Sequence, residues 1–558
     1  MGEVFFVPSL LASSFFVFLI WKYLGKPRES PALRSVAILV LGDVGRSPRM
    51  MYHAESFAKL QFETYLVGYE GSKPVPSLLS VPHVHFLYLY EPPAALRNLP
   101  FLILAPFKIL HQIYAILSAL LWRMPHPPEF ILVQNPPSIP TLALVYLVSR
   151  LRGSKVIIDW HNLGYSILAL KLGQSHVFVR IAKMFEAYFG RSAYAHLFVT
   201  RAMRDFLVRE WGLQGQKAVL HDRPPSHFHR ASPSETHELF LRLEPSLPTA
   251  FLPPHTAPFS TALTHITDTP PSSPSRTTGE LNMPSLRADR PAIVVTSTSW
   301  TEDEDFGMMI DALEQYELRA RKVNKHVGEL ALDQDAVGKV EEGGLETASL
   351  PKLLMIVTGK GPLKEKYMSK VHTLQNARDA WKWVHCTSLW LEPEDYPLLL
   401  GSADLGISLH ASSSALDLPM KVVDMFGCGL PVCALDFACL SELVKDGKNG
   451  LIFTSAAELA KQLEDLLGAF PHSPALATLR EALDVSTPHS ASPHSHLFPQ
   501  YASYATHSQG GASDAGSDID TDGQEEEEEE EEEWDSWDAN WARIVGPLVL
   551  KDAAWVSY

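Results

Sequence analysis

The chain has 558 residues, which is too long for one hydrophobic core, so two or more domains are expected. Its formal net charge of -17 arises mostly in residues 514–538, which contain nine consecutive glutamates and neither lysine nor arginine. The rest is close to neutral, so the charge is a property of the tail and we expect no nucleic-acid partner. Four cysteines without C-x-x-C spacing indicate buried thiols in a reducing compartment.

Residues 1–25 predict a single transmembrane anchor. Residues 4–21 are almost all apolar, long enough to cross a bilayer, and are followed by Lys22, Lys26, Arg28 and Arg34. The positive-inside rule then places the bulk of the protein in the cytosol. A cleavable signal peptide is the alternative, but the segment lacks a basic start and an A-x-A cleavage site.

Residues 35–228 predict a first Rossmann-like domain. Apolar runs without alternation are typical of parallel strands covered on both faces, and helical stretches separate them. The predicted strands are 36–41, 65–67, 84–87, 130–133, 156–158 and 196–199. Residues 99–122 are also apolar but are interrupted by Pro106. They favour an in-plane helix in the cytosolic leaflet over a second membrane span or a buried crossover helix.

Residues 288–470 predict a second Rossmann-like domain after a Pro/Ser/Thr-rich linker or insertion at 229–287. Its predicted elements are strands 292–296, 353–357, 384–387 and 405–409, a helix from Asp305, and a strand after the Gly-Leu-Pro-Val turn. Residues 471–533 predict a disordered acidic tail, and 534–558 a terminal helix that packs back on the first domain. The fold class is therefore α/β, with two Rossmann-like domains facing a cleft.

The loop at residues 42–49, Gly-Asp-Val-Gly-Arg-Ser-Pro-Arg, ends the first predicted strand. Ligands of doubly wound sheets bind at the carboxyl ends of strands, so this loop is a candidate site. Ser47 is expected to cap the next helix with Pro48 at its first position. Arg46 and Arg49 beside that helix start form a candidate anion site, although a tight turn with two solvated arginines is the alternative.

A second candidate follows strand 156–158, where Asp159, Trp160 and His161 place a carboxylate and an imidazole at a strand end. Such groups are suited to proton transfer or to contact with sugar hydroxyls. A single histidine is more often structural, but the cluster favours function. Residues 221–224 close the first domain as a hinge or a cleft wall.

In the second domain, residues 409–432 combine a small-residue loop, a helix start and a turn into a strand. Lys421 and the helix N-terminus can face a diphosphate, and Asp424, one turn later, can reach a ribose hydroxyl. An ordinary turn between helix and strand is the alternative. Ser297 and Lys360 lie in loops at two other strand ends and could contact phosphate.

Other chemistry is not indicated. No G-x-x-x-x-G-K-[ST] pattern exists, so phosphoryl transfer from ATP is not expected. Asp303, Glu304 and Asp305 are expected to start the following helix through its dipole and not to bind a metal. No His/Cys cluster has zinc spacing, and we expect neither metal nor cofactor.

Together these motifs resemble the chitobiosyldiphosphodolichol beta-mannosyltransferases of the endoplasmic reticulum, a GT-B glycosyltransferase family. The matching segments are 42–49, 159–162, 221–224, 296–300, 358–362 and 409–432, within residues 35–228 and 288–470 and the terminal tryptophan segment. The resemblance implies transfer of mannose from GDP-mannose to dolichol-diphosphate-linked chitobiose, with inversion and a β-1,4 linkage. It also implies the endoplasmic reticulum membrane as the location, with other dolichol-pathway glycosyltransferases as partners.

Inversion by single displacement needs a general base and stabilisation of the departing GDP. The resemblance implies Asp43 as the base, with His161 next to Asp159 as its rival. It implies Lys360 and Lys421 as diphosphate ligands and Ser297 as a further donor contact.

The resemblance also implies Asp424 as a ribose contact. Asp417 precedes it by six intervening residues instead of the seven of retaining relatives, so its role stays open. Arg46 and Arg49 would meet the acceptor diphosphate.

Two rival functions remain. One is a GT-B transferase of other sugar specificity, such as an α-mannosyl or GlcNAc transferase. The other is a non-catalytic membrane scaffold that recruits dolichol-pathway enzymes through its acidic tail. The presence of Lys421, Asp424 and the Asp43 loop favours an enzyme.

Overall fold

The computed structural model describes residues 32–91, 101–225, 227–266, 283–301, 304–332, 349–377, 380–410, 416–484 and 535–550. The chain divides into two units: residues 1–222 with 412–418, and residues 223–411 with 419–558. The predicted anchor and the glutamate run lie outside the described residues, so both stay predictions. Among the helices that the structure describes, none combines the length and apolarity needed to cross a membrane.

The first unit contains a parallel seven-stranded sheet of order β3-β2-β1-β4-β5-β6-β7. This is the Rossmann order with one strand added. The strands are β1 (Ala32–Asp43), β2 (Glu63–Tyr69), β3 (Val84–Tyr88), β4 (Pro128–Asn135), β5 (Lys155–Trp160), β6 (Ser192–Phe198) and β7 (Gln214–Val219).

The six predicted strands are confirmed as β1 to β6. Strand β7 was missed because it is a partly exposed edge strand whose polar residues lack an apolar run.

Helices cover this sheet on both faces: α1 (Pro48–Lys59), α2 (Pro76–Ser80), α3 (Phe101–Ser118), α4 (Thr141–Arg152), α5 (Gly164–Leu172), α6 (Val177–Gly190) and α7 (Arg201–Trp211). Parallel strands are joined by right-handed crossovers. Helices that join successive strands in the direction of β3 (α1 and α2) therefore lie on the opposite face from helices that join strands in the direction of β7. Helices α3 to α7 share one face.

From Phe101 onward, the apolar segment forms α3 and a π-helical turn (Ala119–Arg123). Ala115, Ile116 and Leu120 are fully buried in the core, whereas Leu110 and Tyr114 are each 62% exposed. The C-terminal half of this segment is therefore a buried crossover helix, the alternative to the favoured in-plane placement. An exposed apolar face remains on α3.

The second unit contains a parallel six-stranded sheet of order β12-β11-β10-β13-β14-β15, again the Rossmann order. Its strands are β10 (Ala292–Ser297), β11 (Leu353–Thr358), β12 (Val384–Leu389), β13 (Leu405–Ser408), β14 (Val432–Leu435) and β15 (Gly450–Phe453). Its helices are α8 (Pro233–Leu243), α9 (Phe306–Leu332), α10 (Lys364–Asn376), α11 (Asp395–Ser402), α12 (Met420–Gly427), α13 (Ala456–Leu467), α14 (Pro474–Glu481), α15 (Trp537–Ile544) and α16 (Gly546–Leu550).

Two regions predicted as irregular contain regular structure. Within the predicted linker, α8 starts with a capping box between Ser232 and Glu235, and β8 (Thr264–His265) pairs with β9 (Ser285–Leu286). The predicted disordered tail begins too early, because α14 is capped by Ser473 and buries Leu476 and Leu479. Local capping signals in polar surroundings were overlooked in both cases.

A buried ion-pair network lies at the amino end of β13. Asp404 is fully buried and accepts two hydrogen bonds from Arg290 at 2.7 and 2.9 Å, one from Arg480 at 3.1 Å and one from the Ile293 amide at 2.9 Å. Burial alone would raise the pKa of Asp404, but Arg290 and Arg480 outweigh it and lower the pKa to about 2.

The terminal helix α15 is confirmed as a helix and is capped by Ser536. Its Trp537 and Trp541 side chains are buried. The expectation that this segment returns to the first domain stays a prediction.

Candidate functional site

Most of the predicted site residues lie at the carboxyl ends of strands, in each unit close to the point where strand order reverses. In the first unit that point falls between β1 and β4, and in the second between β10 and β13. Open α/β sheets bind their ligands at such points. Each unit therefore carries a candidate site.

Asp43 ends β1 and holds its own loop together. Its Oδ1 accepts from the Gly45 amide at 2.9 Å, and its Oδ2 accepts from the Ser72 amide and hydroxyl at 2.9 and 2.8 Å. These bonds, the Ser72 amide first, lower the pKa of Asp43. A carboxylate stabilised in this way is a weaker base, which disfavours the expected catalytic role.

Arg46 lies in the same loop, and its side chain is 81% exposed. Its Nε donates to the Ser72 hydroxyl at 3.2 Å and lies 3.5 Å from Asp43 Oδ2. The guanidinium is therefore presented to solvent, as the predicted contact with an acceptor diphosphate requires. That contact stays a prediction.

Arg49 differs from the expectation of a surface anion ligand. Helix α1 begins at Pro48, as predicted, but the Ser47 side chain donates to the Asp43 carbonyl and does not cap the helix. Arg49 follows on the inward face and is 4% exposed. Its guanidinium donates to both oxygens of Asp159 at 2.9 Å and to Asp222 at 2.8 Å.

Asp159, predicted as a catalytic candidate at a strand end, is fully buried against His161. Its Oδ2 lies 2.8 Å from His161 Nε2 and 3.1 Å from His53 Nε2. Burial alone would raise the pKa of Asp159, but the Arg49 charge and the histidine contacts outweigh it and hold the pKa well below the usual range. Asp159 is thus a permanent anion that orients its neighbours.

His161 is the partly exposed member of this cluster, with 21% of its side chain accessible. Its amide donates to the Asn135 carbonyl at 2.9 Å, which fixes the backbone across β4 and β5. Because ionised Asp159 accepts a proton from Nε2, the neutral ring keeps its lone pair on Nδ1. Gln134 Nε2 lies 3.5 Å from that atom.

In the second unit, Lys421 lies in the first turn of α12 and pairs with Glu304. The Nζ–Oε1 distance is 2.7 Å, and Glu304 is buried while Lys421 is 29% exposed. Glu304 also accepts from the Thr298 hydroxyl and from the Ser299 amide. The expectation for the acidic triplet is therefore only partly correct: Asp305 caps α9 through the Met308 amide, whereas Glu304 positions the lysine.

Ser297 and Asp424 are linked through Tyr396. The Ser297 hydroxyl donates to the Tyr396 hydroxyl at 3.0 Å, and Tyr396 also hydrogen-bonds the Asp424 carboxylate. Burial, then the nearby Asp424 charge, raises the pKa of Tyr396, so the phenol stays a neutral donor. Ser297 and Asp424, both predicted to bind the sugar donor, thus share the partly buried hydroxyl of Tyr396.

The two predicted phosphate loops, 296–300 and 358–362, pack backbone against backbone. A Cβ at Gly359 would collide with the Thr298 carbonyl, and one at Gly361 with the Ser299 carbonyl. Gly359 has φ +113° as well. Glycine is needed here for close approach.

Lys360 extends from the second loop, and its Nζ lies 3.5 Å from the ring centre of Trp390, which follows β12 and is 59% exposed. A lysine over an aromatic face gains electrostatic attraction from the ring. Asp417 lies in segment 412–418, which groups with the first unit. Its proposed pairing with Asp424 stays a prediction.

Sequence reasoning missed His53, Asp222, Glu304 and Tyr396 as members of these clusters. His53 could have been found, because it follows Arg49 by four residues and so shares its helix face. The pairing of Glu304 with Lys421 and that of Tyr396 with Ser297 gave no local signal, since they join residues 117 and 99 positions apart. Within the described ranges, no three His, Cys, Asp or Glu side chains are grouped to hold a metal ion.

Two family descriptions match the chain. Residues 45–222 match a glycosyl transferase 4-like domain, and residues 338–469 match glycosyl transferases group 1. With two Rossmann-like units, these matches define a GT-B glycosyltransferase.

Curated relatives narrow the class. The chain is 42% identical to the chitobiosyldiphosphodolichol beta-mannosyltransferase of Mus musculus, over 81% of this chain and 84% of that protein. It is 39% identical to the protein of the same name from Dictyostelium discoideum, over 78% and 84%. It is 42% identical to the UDP-glycosyltransferase TURAN of Arabidopsis thaliana, over 78% and 89%. The chain belongs to the chitobiosyldiphosphodolichol beta-mannosyltransferase family.

Proposed function

We propose that the protein transfers mannose from GDP-mannose to dolichol-diphosphate-linked chitobiose, forming a β-1,4 linkage with inversion. The observation that carries this proposal is the similarity to mannosyltransferases of that name over about four-fifths of the chain. The candidate sites at both sheets supply the groups such a reaction needs: a base in the first unit and cations in the second.

His161 is the general base of the proposed reaction. The acceptor hydroxyl gives its proton to Nδ1 while its oxygen bonds to the anomeric carbon, and the carbon–oxygen bond to the diphosphate breaks with its electrons leaving on GDP. Asp159 keeps the Nε2 proton in place and stabilises the imidazolium that forms. The contacts at 2.8 and 2.9 Å that hold Asp159 between His161 and Arg49 support this assignment.

The leaving GDP is stabilised by Lys421 and the N-terminus of α12, with Lys360 as a second cation. Glu304 holds Lys421 in place at 2.7 Å. Ser297 contacts the donor, and Asp424 binds a ribose hydroxyl. Asp417 is a further predicted donor-binding residue, and whether it reaches the donor depends on the loop that precedes α12.

Arg46 contacts the acceptor diphosphate in this proposal, since its guanidinium is exposed. Arg49 is assigned a positioning role through Asp159 instead of direct contact.

The enzyme acts at the endoplasmic reticulum membrane, held by a single-pass anchor at residues 1–25 with its catalytic units in the cytosol. The apolar run 4–21 and the basic residues after it support this topology. Other dolichol-pathway glycosyltransferases are its expected partners.

A UDP-sugar transferase is the second candidate, because TURAN carries UDP in its name at 42% identity. One assay separates the two. Full-length protein is given the phytanyl analogue of the chitobiosyl diphosphate lipid and, in parallel, GDP-mannose, UDP-glucose or UDP-GlcNAc. We expect product only with GDP-mannose. Turnover confined to a UDP-sugar would show that the donor is not GDP-mannose. If folded protein showed no turnover with any donor, the non-catalytic scaffold would be the better explanation.

A further inference from the structure

The hairpin of helices α5 and α6 in the first unit presents its apolar side chains to solvent. Val177, Ile181, Met184 and Tyr188 follow one another at helical spacing and are 56%, 52%, 64% and 75% exposed. Phe178 is 56% exposed beside them. A helix on a soluble domain normally turns such a stripe towards the core. Here the apolar stripe faces outward.

The inward face of α6 fixes this orientation. Glu186 is fully buried, accepts from Asn135 at 2.6 Å, and accepts from the Gly164 and Tyr165 amides at 3.0 and 3.1 Å at the start of α5. A Cβ at Gly190 would come within 2.6 Å of the Trp160 ring, so the helix lies directly against β5. Rotating α6 to bury its stripe would break these contacts.

The charges on helices α3 to α6 are positive apart from one buried carboxylate, whereas the neighbouring α7 on the same face also carries Asp205 and Glu210. Helices α3, α4, α5 and α6 contain one acidic residue, the buried Glu186, although the whole chain has a net charge of -17. Their basic residues are Lys108, Arg150, Arg152, Lys171, Arg180 and Lys183.

The apolar surface continues across the same face of the sheet. Helix α3 packs against α4, and α4 against α6. Leu110 on α3 is 62% exposed and Leu147 on α4 is 46% exposed. The helical layer is therefore apolar and cationic over several adjacent helices.

We propose that this layer, centred on the α5–α6 hairpin, docks on the surface of an anionic lipid bilayer. Apolar side chains would enter the boundary of headgroups and acyl chains, while lysine and arginine contact lipid phosphates. A second copy of the chain fits less well, because self-association would bring like charges together. Lysine is also depleted at the centres of protein interfaces. The inference does not depend on the transfer reaction or on the predicted anchor.

The test uses full-length protein reconstituted in protein-free vesicles. The four native cysteines are buried, so an environment-sensitive fluorophore can be attached to Ile181→Cys or Met184→Cys. Leu318→Cys on α9 of the second unit is the control, since Leu318 is 59% exposed. In phosphatidylcholine vesicles containing phosphatidylserine, we expect blue-shifted emission at 181 and 184. Lipids spin-labelled near the headgroup should quench these two probes severalfold more than the probe at 318.

Charge reversal tests the electrostatic part. In Arg180→Glu/Lys183→Glu, or in pure phosphatidylcholine, the quenching at 184 should fall towards the control value. Probes at 181 and 184 as water-exposed as that at 318 would overturn the proposal. Shielding of these probes in native membranes but not in the protein-free vesicles would also overturn it, because it would indicate a protein partner. Shielding that grows with protein density without lipid quenching would indicate a second copy and would equally overturn it.

Discussion

Replacing His161 by alanine tests the assignment of the general base most directly. Loss of a positioned base costs about 10²–10⁴-fold in kcat. At 1.36 kcal/mol per factor of ten, this is roughly 2.7–5.4 kcal/mol of transition-state stabilisation. GDP affinity should stay unchanged, because the proposed diphosphate contacts are Lys421 and Lys360.

The fold should survive this change. Asp159 keeps its two hydrogen bonds from Arg49 and its contact with His53, so the buried carboxylate remains paired. The variant loses one hydrogen bond to a charged group, about 1.5–3 kcal/mol. Circular dichroism and GDP binding by calorimetry verify folding before single-turnover assays with the phytanyl acceptor.

Asp43→Asn is the matched comparison. It disturbs a carboxylate that accepts from Gly45 and Ser72, so we expect a lower melting temperature and a kcat within a few-fold of wild type. The reasoning is refuted if Asp43→Asn abolishes turnover while binding GDP normally and His161→Ala retains it.

Three further predictions concern the second unit. Lys421→Ala should weaken GDP binding about tenfold or more, near 1.4 kcal/mol, and Glu304→Gln should add little to it in a double-mutant cycle measured by calorimetry. Asp404→Asn should lower stability to urea by ~3–5 kcal/mol, because it leaves the buried Arg290 without its carboxylate partner. Since folding lowers the pKa of Asp404 to about 2, this stabilisation is present above the ordinary carboxyl pKa and is lost as pH falls towards 2, which urea melts across pH would detect. Gly359→Ala should lower the melting temperature and weaken GDP binding, whereas Gly429→Ala, with φ +59° and open space around it, should cost only the backbone strain of ~1 kcal/mol.

Much of the fold follows from local patterns. Unbroken apolar runs predicted six of the seven strands in the first sheet and the strands at 292–296, 353–357, 384–387 and 405–409 in the second. Such runs mark strands buried on both faces. Strands β7 and β15 and helix α8 were missed. In β7 and α8 at least, exposed and polar positions weaken the apolar signal.

The candidate sites likewise combine features that local sequence predicts and features that depend on distant contacts. Asp43, His161, Lys421 and Asp424 could be located from the sequence, because each ends or follows a strand or lies within two turns of a helix start. Their protonation and orientation could not. The ionised state of Asp159 depends on Arg49, 110 residues away, and the position of Lys421 depends on Glu304, 117 residues away.

The sequence by itself therefore determined the family, the two Rossmann-like domains and the strand ends where chemistry is expected, since these depend on local periodicity and motifs. Only the tertiary structure decided which carboxylate is buried, which arginine is withdrawn from the surface and which imidazole nitrogen keeps its lone pair. Those properties arise from burial and from charges that folding brings together, and no local pattern encodes them. The outward apolar stripe of α6 belongs to the same group, because only packing shows which face of a helix meets solvent.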